Sequence, residues 1–383
     1  MDVVLQWNQQ TLASGGPHVQ RTLAMVHAAM FDAINSIEPK HASYLTVPPV
    51  PDGASATAAA AAAAYGVLVR LFPEGRETLS AALTRSLADV PDGSAKTRGI
   101  ALGDLVAKAI VDARLADQIL SPDALPAIGS APGDYQVTSP DEGQPINVNA
   151  AKWRPFVLKS AAQFRPGPPP ALTSATYARD LDEVRRIGGV ASARTPDQEE
   201  VARWHTEPGV IQVNRIARTA AASDGRSVAE HARLFALLNL AVADTTTSVF
   251  EAKYAYRFWR PVTAIRQASV DANPETREDL AWSAFLPSPP HPEYPSAHAA
   301  VQSAGVRVLT TYFGRFHPFR STSSTVPGVT REYQNFDAFA EEGALARILG
   351  GMHFRFSIDA GATIGRNVAD WVLEQALGPL RRP

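Results

Sequence analysis

The stretch Pro287-Ser-Pro-Pro-His-Pro-Glu-Tyr-Pro-Ser-Ala-His298 joins a proline-rich loop to a serine and a histidine at the start of a predicted helix. Proline fixes its own φ angle and restricts the residue before it, so this loop should be stiff. The residues from Ala299 to Val308 are typical of a helix. Ser296 is therefore predicted as the N-cap, and the free amides of the first helical turn favour an anion beside the loop.

The composition is that of a globular protein. The 383 residues are 45% hydrophobic, which is enough for a sizeable core in one large domain or two. The 36 basic and 38 acidic residues are nearly balanced and form no block of like charge, which argues against nucleic-acid and membrane binding. Because the chain has no cysteine, disulfides, thiol nucleophiles and thiolate metal sites are excluded.

Targeting signals are absent from the sequence pattern. No apolar run reaches the roughly 18 residues that a membrane span requires. The start, Met1-Asp-Val-Val-Leu-Gln-Trp-Asn8, lacks the basic and apolar regions of a signal peptide. The compartment stays open between a cytoplasmic protein and a mature secreted or periplasmic form, and the latter is our expectation.

Helical patterns dominate the chain. Helices are predicted over 18–37, 55–71, 76–87, 95–116 and 173–187, from Thr195 past Trp204, and from Ser227 to about Trp259. Residues 121–170 are rich in Pro, Gly, Ser and Asp with scattered aromatic residues, which indicates an irregular excursion packed across a core.

Alternating strand patterns are almost absent, which decides the predicted architecture. We predict an all-α fold of two packed helical bundles. The chain is expected to form a single domain over 1–383, with N-terminal helices in 1–120 and the irregular segment in 121–170. The active site should lie between helices of the bundle in 171–383.

Three segments of the C-terminal half carry cationic or proton-carrying side chains. In Lys253-Tyr-Ala-Tyr-Arg-Phe-Trp-Arg260-Pro261, seven residues are about two helical turns, so both cations should share one helix face and the proline should end that helix. The second segment is Ser296-Ala-His298, and the third is Arg347-Ile-Leu-Gly-Gly-Met-His353. Each is common by itself, but all three in this order are improbable by chance and indicate an oxyanion site.

With these motifs the chain resembles the vanadium-dependent haloperoxidases and the related type 2 phosphatidic acid phosphatase superfamily. The words Phe-Trp-Arg-Pro and Pro-Glu-Tyr-Pro-Ser-x-His are more similar to the haloperoxidase branch, particularly its bacterial members. The resemblance implies vanadate as cofactor, with no haem, flavin or nicotinamide. It implies a cage of side chains and one backbone amide around the anion, formed by Lys253, Arg260, Ser296, Ala297, Arg347 and His353.

The resemblance also implies roles and reactants. His353 would bind vanadium through a ring nitrogen, His298 would act as acid–base group on hydrogen peroxide, and Lys253 would polarise the activated peroxide. Halide would be oxidised and would halogenate a small organic acceptor. His291, seven residues before His298, is more similar to the bromide-oxidising type, and Phe250 is a candidate apolar wall for halide or substrate.

Two alternatives remain open at this point. An acid phosphatase would use the same pocket through a phosphohistidine at His353, with His298 protonating the leaving group. A helical anion-binding protein without turnover would use the cage alone. A homodimer is compatible with helical layers that expose apolar faces, on base rates only.

The sequence departs from the family pattern in two places. Ala297 stands where the family usually has glycine, and its Cβ disfavours positive φ and adds bulk beside the anion. An acid commonly follows the last histidine by four residues, whereas this chain has Ser357 there. Asp359 is a candidate replacement that could orient His353, although a surface position for it is the favoured interpretation.

Overall fold

The computed structural model describes residues 2–16, 18–45, 53–117, 129–138 and 144–380. Within these ranges the regular structure is helical apart from one two-stranded hairpin, which confirms the predicted all-α class. Residues 121–128 and 139–143 of the predicted irregular segment lie outside the described residues. In the described part of the chain, no helix is long and apolar enough to cross a membrane.

Within the described ranges, most α-helices precede the proline-rich loop, and the hairpin and the remaining helices follow it. The first five helices are α1 Val3–Ser14, α2 Val19–Asn35, α3 Ala56–Leu71, α4 Arg76–Leu87 and α5 Ser94–Arg114. The next five are α6 Ala175–Ile187, α7 Pro196–Trp204, α8 Gly209–Ala221, α9 Val228–Tyr256 and α10 Pro261–Arg266. The last elements are α11 Ala297–Phe313, β1 Phe319–Thr322, β2 Thr330–Tyr333, α12 Phe336–Leu349 and α13 Arg355–Gln375.

The chain divides into two compact units. Unit 1 comprises Met1–Asp117, Asn214–Ala243 and Ala369–Pro383, and unit 2 comprises Gln118–Val213 and Asp244–Val368. Helices α8, α9 and α13 contribute residues to both units. The single-domain organisation stays a prediction.

In unit 1, the alanine-rich helix α3 packs against α2, α4 and α5. Its alanines from Ala58 to Ala64 are all buried. A Cβ atom on Gly103 of α5 would lie only 2.4 Å from the Ala59 carbonyl oxygen, so these two backbones approach closely. Small side chains therefore set the spacing of the α3–α5 contact, which explains the weakly hydrophobic alanine run.

In unit 2, helix α12 packs against α6, α7 and α11. Aromatic and aliphatic side chains that include Tyr177, Trp259, Ile348 and Phe354 form a buried cluster beside α10 and the start of α13. The hairpin pairs β1 with β2 in antiparallel register, from Phe319 opposite Tyr333 to Thr322 opposite Thr330. Four residues per strand are too few for a clear alternating pattern, so the hairpin was not predicted from the sequence.

The irregular segment 144–170 is packed, as predicted, where the structure describes it. The Asp244 carboxylate of α9 accepts hydrogen bonds from the backbone amides of Phe156, Val157 and Leu158 at 2.6, 2.7 and 2.9 Å. Arg165 donates to Glu251 on the same helix, with an Nε to Oε2 distance of 3.0 Å. A buried carboxylate with three N–H donors anchors the loop, because its own desolvation is offset by those bonds.

The helix break near Pro261 differs from the sequence expectation. Helix α9 ends at Tyr256, and Arg257 takes a left-handed φ of 47°. Arg260 is the N-cap residue of α10 and Pro261 is its first residue. The prediction that Lys253 and Arg260 share one helix that ends at Pro261 is therefore wrong. Proline is favoured at the first helical position, where its missing N–H has no partner to lose.

Candidate active site

Ser296 caps α11 as predicted and fixes the start of that helix. Its Oγ atom accepts the backbone N–H of Ala299 at 3.4 Å, and its own N–H donates to the Ser357 carbonyl oxygen at 3.0 Å. Ala297 is the first residue of α11 and has no positive φ, so the change from glycine requires no strained backbone at this position. The amide of Ala297 therefore stays available at the helix N-terminus.

Helix α13 supports this N-terminus through two glycines. A Cβ atom on Gly361 would lie 2.3 Å from the Ser296 carbonyl oxygen, and one on Gly365 would lie 2.1 Å from the Ala300 carbonyl oxygen. The backbones of α13 and α11 are therefore in contact. No side chain larger than hydrogen fits at either position without movement of the loop or helix.

Arg260 is fully buried and organises the loop around the site. It donates to three carbonyl oxygens, from Nε to His291 at 3.0 Å, from Nη1 to Met352 at 3.0 Å and from Nη2 to Pro289 at 3.2 Å. Its Nη1 atom is also 3.4 Å from Nε2 of His353. Burial lowers the pKa of Arg260 to about 10, so the group stays charged at neutral pH.

Lys253 is also fully buried and reaches the same loop from α9. Its Nζ atom donates to the carbonyl oxygens of Pro292 at 2.8 Å and Glu293 at 2.9 Å. Burial, followed by repulsion from Arg260, lowers the pKa of Lys253 well below its usual value. The two cations thus converge on one loop although they do not share a helix.

His353 and Glu293 form a buried hydrogen-bonded pair. The distance from His353 Nδ1 to Glu293 Oε1 is 2.8 Å, and the same oxygen accepts the Phe354 N–H at 3.0 Å. Burial raises the pKa of Glu293 to about 7, although Arg260 and Lys253 act in the opposite direction. Burial, followed by repulsion from Arg260 and Lys253, lowers the pKa of His353 well below its usual value, so its ring is neutral.

Arg347 and His298 each have one buried side-chain nitrogen without a hydrogen-bond partner in the protein. Arg347 donates from Nη1 to the His205 carbonyl oxygen at 3.1 Å and from Nη2 to Met352 Sδ at 2.6 Å, while its Nε has no hydrogen-bond partner. Nε2 of His298 is buried without a partner as well. Burial, followed by repulsion from Arg347 and His205, lowers the pKa of His298 well below its usual value.

Behind His298 lies a polar network that the sequence did not reveal. The rings of His205 and His298 are 6.4 Å apart between centroids. Glu342 accepts hydrogen bonds from His205 Nε2 at 3.1 Å, Arg331 Nε at 2.9 Å and the Tyr333 hydroxyl at 2.6 Å. Burial opposes ionisation of Glu342, but these hydrogen bonds lower its pKa to about 2. Glu342 is therefore ionised beside His205 at neutral pH.

The side chains of His291 and Phe250, which the sequence suggested as halide-site residues, are in contact. Their ring centroids are 5.0 Å apart in an edge-on arrangement. Nδ1 of His291 is 3.0 Å from Nη2 of Arg260, and the His291 side chain is buried. Burial, followed by repulsion from Lys253 and Arg260, lowers the pKa of His291 well below its usual value. In contrast, Asp359 is exposed and takes no part in this cluster.

The donor set suits an oxyanion. Three buried basic side chains, Lys253, Arg260 and Arg347, lie in unit 2 together with the N-terminus of α11 and the unpartnered nitrogens Arg347 Nε and His298 Nε2. Among the described residues, no group of three or more His, Cys, Asp and Glu side chains could hold a metal cation by itself. All nine site residues predicted from the sequence belong to unit 2.

The described part of the chain is an all-α protein whose candidate site is buried and rich in basic side chains. Comparison with known proteins shows which proteins it resembles. Residues 233–381 match the model of the VCPO second helical-bundle domain. The chain is 24% identical over 487 aligned positions to the vanadium chloroperoxidase of Curvularia inaequalis, covering 94% of this chain and 79% of that protein. The resemblance seen in the motifs is thus found along nearly the whole chain.

Solved structures agree with this relationship. A bacterial vanadium-dependent iodoperoxidase superposes with a TM-score of 0.80 at 28% identity, over 95% of this chain and 91% of that chain. The holo form of a bacterial vanadium-dependent chloroperoxidase shares the fold, with a TM-score of 0.73 at 19% identity over 93% of this chain and 90% of that chain. The matched domain model, the curated relative and these structures together support a relationship of this chain to the vanadium-dependent haloperoxidases.

Proposed function

We propose that this protein is a vanadate-dependent haloperoxidase, which oxidises halide with hydrogen peroxide and halogenates small organic acceptors. The observation that carries the proposal is the pair of buried nitrogens without partners, Arg347 Nε and His298 Nε2, among the buried cations Lys253 and Arg260. A buried donor without a partner costs free energy of about 1–3 kcal/mol. A bound oxyanion supplies an acceptor for Arg347 Nε, and a protonated oxygen of the anion or of peroxide can donate to Nε2 of His298.

The anion would be held by groups that the structure leaves free to donate. Arg347 keeps an Nε–H without a partner, and a planar guanidinium suits the oxygens of a tetrahedral anion. The N–H groups of Arg260 already face carbonyl oxygens and histidine nitrogens, so Arg260 would contribute its positive charge. The Ser296 hydroxyl already accepts a hydrogen bond from Ala299, so its own proton can go to the anion. The amide of Ala297 completes the cage from the helix N-terminus, and His353 is assigned as the ligand to vanadium.

Vanadate bound in this cage would supply a Lewis acid that activates hydrogen peroxide. Because the vanadium would keep its oxidation state, no haem, flavin or nicotinamide would be required. The protein would supply proton transfer and charge. His298 has a neutral ring because its pKa is lowered, so it can take a proton from incoming peroxide at neutral pH. In its ammonium form, Lys253 donates to two carbonyl oxygens and keeps a third N–H bond that can polarise an oxygen of the peroxide.

We propose bromide as the favoured halide, with His291 and Phe250 at the halide position. The edge-on contact between the rings of Phe250 and His291 gives a surface that is partly apolar and partly polar. The nearby Arg260 supplies positive charge. His291→Phe should shift the relative rates with chloride, bromide and iodide, measured at equal concentrations. An unchanged halide profile in His291→Phe would remove this assignment.

The overall function is tested with apo-protein incubated with and without orthovanadate. Bromination of monochlorodimedone with hydrogen peroxide should appear only with vanadate and halide together. His353→Ala should abolish turnover, whereas the exposed control Asp359→Asn should retain it. Full halogenation by His353→Ala would contradict the role of that residue.

The acid phosphatase hypothesis is examined in the same preparation. Hydrolysis of p-nitrophenyl phosphate that vanadate inhibits, with no halogenation under any condition, would replace the haloperoxidase proposal with a phosphohistidine mechanism at His353. Anion binding without either activity would leave only an anion-binding protein. The shared pocket makes this comparison necessary, because vanadate also resembles the transition state of phosphoryl transfer.

A homodimer remains part of the proposal. Large apolar side chains such as Leu280 and Phe316 are 74% and 85% exposed in the single chain. Contact between two copies would cover such surface. Light scattering coupled to size-exclusion chromatography should give twice the mass of the chain, and a monomer mass at micromolar concentration would contradict it.

A further inference from the structure

Glu293 lies in the proline-rich loop and forms hydrogen bonds with both of the other segments of the site. Its carboxylate accepts hydrogen bonds from His353 Nδ1 and the Phe354 amide. Its carbonyl oxygen accepts Lys253 Nζ at 2.9 Å, and its N–H donates to the Phe258 carbonyl oxygen at 2.9 Å. The residue is fully buried, and its Oε2 atom has no partner. A buried carboxyl group at such a junction requires a reason, because its desolvation is costly.

The contacts of His353 fix which ring nitrogen carries the proton. Glu293 Oε1 faces Nδ1 at 2.8 Å and acts as an acceptor, so Nδ1 is the donor. On the other side of the ring, Nη1 of Arg260 approaches Nε2 at 3.4 Å, and a guanidinium can only donate. Both neighbours therefore select the tautomer with hydrogen on Nδ1 and a lone pair on Nε2.

This selection does not depend on whether Glu293 is ionised. Oε1 receives two N–H donors, from His353 and Phe354, so a proton on the carboxyl group would lie on Oε2. In either state Oε1 remains the acceptor for the ring. A hydrogen bond of this kind to the second ring nitrogen orients a ligand histidine and raises its basicity.

We propose that Glu293 is a positioning residue, which holds the His353 ring through Nδ1 and presents the Nε2 lone pair to the oxyanion. The inference deepens the proposed function, because it takes His353 as the vanadium ligand. Glu293 comes from the proline-rich loop and not from the residues after His353. There, Ser357 donates to the Glu293 carbonyl oxygen at 3.3 Å and Asp359 is exposed.

The side chain can be tested apart from the backbone. The bonds from the Glu293 main chain to Lys253 and Phe258 survive any substitution that keeps the loop folded. Glu293→Gln keeps an acceptor oxygen for the ring and for the Phe354 amide, whereas Glu293→Ala removes it. Asp359→Asn removes an exposed acid from the same part of the chain and is the matched control.

The first measurement is made on the wild-type protein and needs a variant only to assign signals. Nitrogen-15 NMR of the apo-protein with labelled histidine, with the His353 signals assigned by His353→Gln, should show a protonated Nδ1 and an unprotonated Nε2. The opposite tautomer in the wild-type protein would overturn the proposal. Because this readout involves no vanadate and no turnover, it stands even if the haloperoxidase function fails.

The second measurement is the affinity for orthovanadate by isothermal titration calorimetry. Glu293→Ala should weaken binding about 10- to 100-fold, and Glu293→Gln should keep the tautomer and lose less than about tenfold. Asp359→Asn should bind as the wild type does. If the wild type binds vanadate and Glu293→Ala binds equally well with an unchanged tautomer, the positioning role is overturned. If the wild type does not bind vanadate, the proposed function fails and the NMR result alone decides the role of Glu293.

Discussion

At the scale of single residues, Ala297 tests how much the anion cage depends on backbone freedom. The residue opens α11 in right-handed helical conformation. Ala297→Gly should therefore leave vanadate affinity within about twofold and lower the free energy of unfolding by up to about 1 kcal/mol, since glycine weakens a helix. Calorimetry and urea unfolding measure the two effects. A tenfold gain in affinity would instead show that the Cβ atom crowds the anion.

The residues of the proposed cage could be grouped from the sequence because the motifs fix residue types at close spacing. Glu293 and His205 could not, since their partners are distant in sequence. Glu293 meets His353 across 60 positions, and His205 meets Arg347 across 142. One signal was nevertheless present for Glu293, because an acid within a proline-rich apolar loop, three residues before Ser296, calls for a buried partner.

At the scale of elements, the site depends on close contact between α13 and the N-terminus of α11. Gly361→Ala would place a Cβ atom 2.3 Å from the Ser296 carbonyl oxygen. We expect this to displace the capping serine, to lower the free energy of unfolding by about 1–3 kcal/mol and to weaken vanadate binding at least fivefold. Thermal unfolding and calorimetry measure the two effects.

The control for this prediction lies on the same helix. Asn367→Ala changes an exposed position of α13 and should leave stability within about 0.5 kcal/mol and binding unchanged. Wild-type affinity in Gly361→Ala would mean that α11 can shift without disturbing the cage, and the proposed dependence on this contact would be wrong.

Element boundaries followed local chemistry where a cap was present in the sequence. Helices α3 and α7 begin at the predicted positions, where Ser55 and Thr195 are the N-cap residues, and Thr195 forms a complete capping box with Gln198. The break after α9 was misread because two turns of helix also fit the spacing of Lys253 and Arg260. The left-handed Arg257 that ends α9 has no signal in its residue type, since this backbone conformation is usually left to glycine or asparagine.

At the scale of the whole molecule, carboxylates on helices hold irregular parts of the chain through hydrogen bonds and ion pairs between residues that are distant in sequence. In unit 2, Asp244 and Glu251 hold the segment 144–170 on α9. In unit 1, the Asp2 carboxylate caps α1 through the amides of Val4 and Leu5 and also contacts Nδ1 of His231 on α9. Composition predicted a packed core but could not predict these pairings, which depend on the folded path of the chain.

The cluster of His231, Asp2 and Asp224 should make stability depend on pH. Nε2 of His231 is 3.0 Å from Asp224, so the ring lies between two carboxylates. The hydrogen bond with Asp2 raises the pKa of His231 above its usual 6.5, although burial opposes this and Asp224 adds to it. Burial opposes ionisation of both aspartates, but hydrogen bonds lower their pKa values below the usual 3.8. The main such bond comes from His231 for Asp2 and from the Arg226 amide for Asp224.

The directions of these pKa shifts determine how the free energy of unfolding depends on pH. A raised histidine pKa stabilises the fold fully below pH 6.5, and this contribution is lost as pH rises through the folded-state pKa. The lowered aspartate pKa values stabilise above pH 3.8, and that contribution is lost as pH falls through their folded-state values. His231→Gln should therefore cost about 1–2 kcal/mol in the free energy of unfolding near pH 5.5 and less near pH 9, because the ion pair is absent from both proteins once His231 is neutral. Urea unfolding of both proteins across this range measures the difference, and a cost that does not change with pH would show that His231 contributes only packing.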